Sequence, residues 1–546
     1  MNNTLPVLAQ DGYKIDHRRQ YPNNSQLVFS NMTARGSRVE GLNKVVFFGL
    51  QYFMQKYLIE DWTNNFFNKP IDEVCQRYTR RLNNYIGPNK IGESHVRELH
   101  ALGYLPLEIW ALPEGSNVNL RVPMFVMWNT DVRFFWLTNG EETILSTTVW
   151  GSCTSATTAL MYRRILNSWA LKTNPEMIDF VPWQGHDFSF RGHFGFEAAT
   201  MSGAAHLLSF TGTDTIPAID FLEEYYGADS DKELVGGSVP ATEHSVMCMG
   251  DVTNEVETFR RLIEDVYPEG IVSIVSDTWD FWNVINPNGG ICAILKDKIL
   301  ARNGKVVIRP DSGDPVKIVT GWKWANVEDY KWDLDAMVVA GFEAFKDGER
   351  FYAIEKNDRH PLNRMSRELQ EVEVDGLITS LHKIFGGTPT STGYTQLDTH
   401  IGGIYGDSIT LERATQICQR LADKGFASTN LVYGIGSFTY QGAVTPDAII
   451  TRDTHGFAVK STYGEVLVDG ETIGIEIFKD PVTDDGLKKS AKGLIAVYED
   501  DTGFVMKDQA TWDDVKNCAF VNVFKDGKIM KEWTLQQIRD RVAKNF

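Results

Sequence analysis

Cysteine is scarce and scattered in this chain. Its six cysteines, Cys75, Cys153, Cys248, Cys292, Cys418 and Cys518, include no CxxC pair, and no histidine lies at metal-ligand spacing from them. That excludes a disulfide framework or structural zinc and suits a reducing compartment. Long apolar runs are missing too: none approaches the roughly 18 residues of a membrane-spanning helix. The first residues, MNNTLPVLAQDGYK, lack the basic start and apolar core of a secretory leader. The expectation is a cytoplasmic protein with no membrane partner. Positive charge is in deficit, with 54 Lys and Arg against 72 Asp and Glu and a net charge of -18. Broad binding to nucleic acid or anionic lipid needs a positive field and is excluded. An acidic chain that handles phosphates must concentrate its few cations locally. No internal repeat or low-complexity segment is present.

What is there fits a large globular protein. At 546 residues the chain has room for two or three domains. Residues 1–150 read as an N-terminal α+β domain, mixing β-type runs with one clear helix, Gly49–Leu58. Leu105–Leu112 and Met124–Trp128 read as strands. From about 151 to 455 helices alternate with short apolar strands, the pattern of an α/β barrel. The charged, aromatic stretch 322–375 does not keep this rhythm and reads as a largely solvated insertion. Residues 456–546 return to β-type alternation (FAVKSTYGEVLV), end in an amphipathic helix near Leu535–Val542, and are expected to pack back on the N-terminal domain. The fold expected is an irregular, TIM-like α/β barrel beside a β-rich domain built from both ends of the chain. Within the barrel, Phe194–Phe210 reads as a helix with Phe194, Ala198, Met201, Ala205 and Leu208 on one stripe, and its His206 as a core histidine.

Four strand candidates share a property. Ile271–Val275 ends at Ser276-Asp277, and Val306–Ile308 at Arg309-Pro310-Asp311. Ile401–Tyr405 ends at Gly406-Asp407-Ser408, and Leu431–Tyr433 at Gly434-Ile435-Gly436-Ser437. Ligands sit at the carboxyl ends of strands in barrels, so four such polar ends in order point to one site. Ser408 is placed to cap the helix that follows and Gly425 to stop it. Gly434-x-Gly436-Ser437 offers backbone N–H groups to a phosphate, although it matches no full nucleotide-binding motif. Asp311 and Asp407 are suited to ribose hydroxyls, and Arg309, Arg191 and Arg452 to phosphates. His244 lies in a small-residue turn beside Glu243, a candidate acid, base or nucleophile, or else a structural histidine. Phe188, taken alone, is core or a stacking platform. Together these parts suit transfer at the anomeric carbon of a phosphorylated ribose, through an oxocarbenium-like state.

In these residues the chain resembles the nicotinamide phosphoribosyltransferase family of type II phosphoribosyltransferases. The matching stretches run in order from DGYKIDHRRQYP (11–22), FFGLQY (47–52) and WLTNGEETIL (136–145) through HDFSFRG (186–192), GTDT (212–215), SVPATEHS (238–245) and VSIVSD (272–277). IRPDSGDP (308–315), YGDS (405–408), TRD (451–453) and FKDPV (478–482) complete the series. The resemblance implies that nicotinamide and phosphoribosyl pyrophosphate give nicotinamide mononucleotide and pyrophosphate, with Mg2+ accompanying the pyrophosphate. It also implies a homodimer with active sites shared between subunits. Carried over by position, Phe188 is one ring of a sandwich around the pyridine and Tyr13 of a second subunit the other. Asp214 accepts from the carboxamide. Arg309 lies beside base and phosphates, and Asp311, Gly406 and Asp407 hold the ribose. Gly436, Ser437 and Arg452 match the 5′-phosphate site, and Arg191, Arg35 and Lys460 the pyrophosphate side. His244 matches a histidine that the family phosphorylates with ATP as co-substrate, and Asp277 is placed to orient it. The chain departs from the family at Ser437 and Phe438, where the phosphate loop is usually richer in glycine, in the longer span 442–448, and in the long 322–375 excursion.

The nearest rival is a nicotinate phosphoribosyltransferase. A charged Asp214 would repel a substrate carboxylate, and the nicotinate enzymes typically carry an uncharged residue there, which favours the amide. A two-carboxylate glycosidase and a non-catalytic binder are more distant readings.

Overall fold

The computed structural model describes residues 4–250, 252–356, 364–406, 408–445, 448–479 and 491–546. Asp407 and the end of the FKDPV stretch lie outside the described residues.

The six parallel strands that carry the polar ends are short and fully assembled only by their neighbours. They are β1 (Gly185–Asp187), β2 (Gly212–Thr213), β3 (Glu269–Val275), β4 (Asn303–Arg309), β5 (Ile401–Tyr405) and β6 (Leu431–Ile435). Their order across the sheet is β2-β1-β6-β5-β4-β3, every pair parallel. The four strands expected from sequence are therefore consecutive neighbours. Val272, Ile274, Val306, Ile308 and Ile401 are buried, as both faces of a parallel sheet must be covered. The sheet curls, and its two edges are joined by the extended segment 237–242. On one flank Gly237 N donates to Thr211 O (2.8 Å) and Thr213 N to Gly237 O (2.9 Å). On the other Ser273 N donates to Pro240 O (2.9 Å) and Thr242 N to Ser273 O (3.0 Å). This irregular seventh stave closes the ring. It contains Pro240, which has no N–H to give, so it pairs through single bridges instead of a ladder.

A second, antiparallel sheet unites the ends of the chain. Ser25–Ala34 pairs with Phe457–Val468 on one side and with Pro123–Asn129 on the other; Leu107–Ala111, Val521–Lys525, Lys528–Ile529 and Glu471–Glu476 complete seven strands. The helix α1, Trp136–Thr173, runs unbroken through residue 150 and ties the two sheets together. Its first half (Leu137, Leu145, Val149) packs in the core of the antiparallel sheet. Its second half (Ala159, Tyr162, Leu166) packs in the core of the barrel.

Several local expectations are corrected. The first 150 residues hold more than one helix, adding Ile71–Tyr85 and Ser94–Leu102. The helix expected over 194–210 spans Phe196–His206; Gly195, at φ 149°, breaks the chain before it and leaves Phe194 91% exposed. Ser408 does not cap the following helix. It adopts φ 55°, and the Thr410 hydroxyl accepts from Arg413 N (3.2 Å) instead. Gly434 lies inside β6 and not in the loop beyond it. The 322–375 stretch is not merely solvated. It builds a four-stranded sheet of its own over small cores that include Trp322, Ala344, Ala353, Met337 and Phe345.

Candidate active site

Because the six strands run parallel, all their carboxyl ends open on one rim. β1 delivers His186 and Phe188 to one face and Asp187 to the other, by the alternation of an extended chain. Asp187 is fully buried and accepts from Ser189 N (2.9 Å), Ser189 Oγ (2.6 Å) and Thr215 Oγ1 (2.7 Å), a structural role that shapes the start of the next turn. Phe188 N donates to Ile435 O (3.0 Å), which pins its ring over the end of β6. Glycine is required beneath it. A Cβ on Gly434 would come within 2.8 Å of the Phe188 ring and of the Gly406 and Tyr405 backbone.

Asp214 follows β2, where the His186 imidazole (Nε2 to Oδ1, 2.8 Å) and the Ser238 hydroxyl (Oγ to Oδ1, 2.8 Å) meet its carboxylate. Burial would raise this carboxyl. The bonds from His186 and Ser238 and the charge of Arg309 outweigh that and hold it below the usual carboxylate range.

On the opposite arc, Asp277 after β3 and Asp311 after β4 stand side by side, with Asp311 N donating to Asp277 Oδ2 (3.0 Å). Arg309 lies 3.9 Å from Asp311 Oδ2 and donates to the carbonyl of Thr242 in the closing stave. That stave leads straight into the short helix His244–Met249. The His244 imidazole is half exposed; its Nδ1 is 3.0 Å from Thr278 Oγ1, and its Nε2 is 3.9 Å from both Asp277 Oδ1 and Asp311 Oδ2. Gly406 ends β5 beside this group, and a Cβ there would strike Asp311 Oδ1 at 2.0 Å. Gly436 and Ser437 end β6. A Cβ on Gly192 would overlap Ser437 Oγ, so the Phe190–Gly192 turn, with exposed Arg191, packs directly on that loop.

Ten of the fifteen residues expected from sequence thus share the rim: Phe188, Arg191, Asp214, His244, Asp277, Arg309, Asp311, Gly406, Gly436 and Ser437. Asp407 is not described. The other four lie around the antiparallel sheet: Lys460 on its strand Phe457–Val468, Arg35 just past Ser25–Ala34, Arg452 in the turn Arg452–Thr454 before Phe457, and Tyr13 in the short helix Gly12–Asp16. Arg35 follows Ala34 and donates to Gly456 O (3.2 Å). Lys460 pairs in register with Asn31 and lies 3.7 Å from Glu142, which also receives Lys14 at 2.8 Å. Tyr13 is 67% exposed and within electrostatic range of both Glu142 and Arg452. Sequence reasoning missed His186, Ser238, Thr242 and Thr278. The first was within reach, since residues two apart in a strand share a face and Phe188 had been singled out.

Among the described residues no group of three or more His, Cys, Asp or Glu is arranged to hold a metal by itself. Asp277 Oδ1 is buried and makes no hydrogen bond, so the Asp277–Asp311 pair is the acidic face of the rim, chemistry suited to a hard divalent cation. Nor is any helix long and apolar enough to cross a membrane.

A closed parallel barrel whose carboxyl rim gathers two adjacent carboxylates, a guanidinium and an open imidazole defines an α/β-barrel enzyme. Residues 183–524 match the sequence profile of the nicotinate phosphoribosyltransferase family, and residues 6–109 that of the nicotinamide phosphoribosyltransferase N-terminal domain. The chain belongs to the nicotinate phosphoribosyltransferase family. It is 46% identical to the nicotinamide phosphoribosyltransferase of Acinetobacter baylyi, across 99% of this chain and 97% of that protein. It is 30% identical to the Mycoplasma pneumoniae protein of the same name, across 90% and 97%. In fold it is similar to the crystal structure of nicotinate-nucleotide pyrophosphorylase from Pyrococcus furiosus, with a TM-score of 0.52 at 13% identity, covering 100% of this chain and 96% of that one.

Proposed function

We propose that the chain transfers the phosphoribosyl group of phosphoribosyl pyrophosphate to nicotinamide, a step of NAD salvage. The pyridine nitrogen bonds to the anomeric carbon as the bond from that carbon to the pyrophosphate oxygen breaks. The products are nicotinamide mononucleotide and pyrophosphate. The observation that carries this reading is the pairing of Phe188, a face for a flat electron-poor ring, with Asp214, an ionised acceptor close by. A carboxamide offers N–H to that acceptor and a carboxylate does not. Asp311, with Gly406 beside it, takes the ribose and faces the positive charge that develops on the ring. Arg309 and Arg191 serve the phosphates, with the Gly436–Ser437 backbone at the 5′-phosphate.

Tyr13, Arg35, Arg452 and Lys460 enter this site from a second copy of the chain in a homodimer. The rim loops carry apolar residues that favour being covered, among them Phe194, Phe196 (66% exposed), Ile216 (69%) and Met249 (89%). His244 is read as the acceptor of a phosphoryl group from ATP. With Nδ1 held by Thr278, Nε2 is the nitrogen left to attack, and ADP departs. Incubation with phosphoribosyl pyrophosphate and nicotinamide is expected to yield nicotinamide mononucleotide and pyrophosphate in equal amounts. Product only from nicotinate would replace this reading by the nicotinate one. Acid-labile phosphate on the chain after ATP treatment, absent from His244→Ala, tests the coupling separately.

A further inference from the structure

The rim carboxylate Asp214 is not placed by its own loop alone. Two donors from two different staves of the barrel converge on one of its oxygens. His186 Nε2 and Ser238 Oγ each lie 2.8 Å from Oδ1, leaving Oδ2, on a side chain 45% exposed, as the oxygen open to a ligand. The histidine is built in. Its side chain is 9% exposed, and its ring rests tilted against Phe188 at 4.6 Å between centroids. In the parallel register it stands directly opposite Gly212, where a Cβ would approach its Nδ1 to 2.8 Å. A glycine at that point of β2 is what lets the ring lie across the neighbouring strand and reach the carboxylate one turn on.

We propose that His186, seconded by Ser238, is the positioning residue of base selection: it fixes Asp214 so that Oδ2 presents a lone-pair acceptor, and nothing else, to the substrate's carboxamide. This rests on the nicotinamide reading above and deepens it. A carboxylate free to swing would bring either oxygen forward, or turn toward Arg309. One whose second oxygen is occupied by two donors demands an N–H in a single direction. The same two bonds favour its ionised form, and the ionised form repels an anionic base. His186 itself does not touch the substrate's reacting atoms, so its loss acts through Asp214.

The test is the ratio of kcat/KM for nicotinamide to that for nicotinate, measured across pH on the full chain. His186→Phe keeps the ring against Phe188 and removes the donor. It is expected to lower the ratio by about 10-fold or more, chiefly through the nicotinamide KM, since a buried donor that points at a charged acceptor is lost. His186→Gln restores a donor at the Nε2 position and is expected to recover most of the ratio. Ser238→Ala, remote from the barrel core, is expected to lower it by a smaller factor and serves if the phenylalanine variant does not fold. The pH profile separates positioning from general damage. Without the histidine the Asp214 carboxyl titrates higher, so the variant's ratio is expected to fall further below the parent's as pH drops from about 8 to 5.5. The other charged groups facing this pair are Arg309 from β4 and, across β1, Asp187 and the buried His206. They are unchanged in every variant. Unaltered ratio and profile in His186→Phe and Ser238→Ala would overturn the proposal. Should Asp214→Ser also leave the ratio unchanged, the nicotinamide reading itself falls; should Asp214→Ser alone change it, only the role of His186 does.

Discussion

At the scale of single residues the site is an economy of close approach. Gly406 and Gly434 have no room for a Cβ because Asp311 and Phe188 occupy it, and that is what lets a carboxylate and an aromatic ring crowd one rim. Arg309 and Asp311 stand two apart across Pro310 yet point to different work. The guanidinium is anchored on the closing stave through the Thr242 carbonyl, and the Asp311 backbone is held beside Asp277, its N–H donating to Oδ2. Replacing Arg309 by Ala is therefore expected to raise the KM for phosphoribosyl pyrophosphate by about 10-fold or more, as the loss of a charge-assisted phosphate contact does. Replacing Asp311 by Ala is expected to cut kcat by about 100-fold with an unchanged melting temperature, the outcome if its carboxylate faces the charge that develops in the transition state, as proposed. Steady-state kinetics with each substrate varied in turn separate the two. Both residues were legible in the sequence because a β-branched run that stops at charged groups has few structural excuses. His186, two residues before Phe188 on the same face, was within reach, but a histidine beside a buried aspartate reads as core until its bond to Asp214 is seen.

At the scale of elements, the legible strands were those with apolar runs. β3 to β6 each carry Val, Ile or Leu in sequence. β1 and β2 are two or three residues long and contain glycine, so no periodicity marks them. The stave 237–242 is less legible still. Pro240 and its small neighbours read as a turn, and only the hydrogen bonds on both flanks reveal that it closes the barrel. Its function can be probed at Thr242, a buried residue whose hydroxyl accepts from Val275 N (2.9 Å). Thr242→Val keeps the shape and strands that N–H. It is expected to cost about 1–3 kcal/mol in denaturant unfolding, the penalty of an unsatisfied buried donor. Because the stave also holds Arg309 and aims His244, activity is expected to fall more than stability alone explains. An unchanged midpoint would mean that the bridge to β3 does not help to close the ring.

At the scale of the whole molecule, the candidate residues divide into two groups: ten on the barrel rim, and four on or beside the antiparallel sheet, with Lys460 on one of its strands and Arg35, Arg452 and Tyr13 in the segments around it. The rim group was foreshadowed by the polar strand ends, but the second group had no visible home in the sequence, where Tyr13 and Lys460 are far apart; only the pairing of Ser25–Ala34 with Phe457–Val468 brings their surroundings together. If the two groups meet across a dimer, a Tyr13→Ala chain and an Asp311→Ala chain, each inactive alone, are expected to regain about a quarter of the parent activity when mixed after dissociation, one site in each mixed dimer being intact. No recovery would place both groups in one chain. Stability is expected to be acid-sensitive for a separate reason. Burial pushes His95 down to about 3 and His455 to about 4, and lowers His206 as well. The unfolded chain binds these protons near pH 6.5 and the folded chain does not, so stability is full above that pH and lost as pH falls toward 4. Melting temperature followed from pH 7 to 4.5 checks this. The most direct test of the account is the selectivity of the purified chain with phosphoribosyl pyrophosphate. A kcat/KM for nicotinamide at least about 100-fold above that for nicotinate is the result that a fixed, ionised Asp214 predicts, and equal use of the two bases, or a preference for nicotinate, would contradict it.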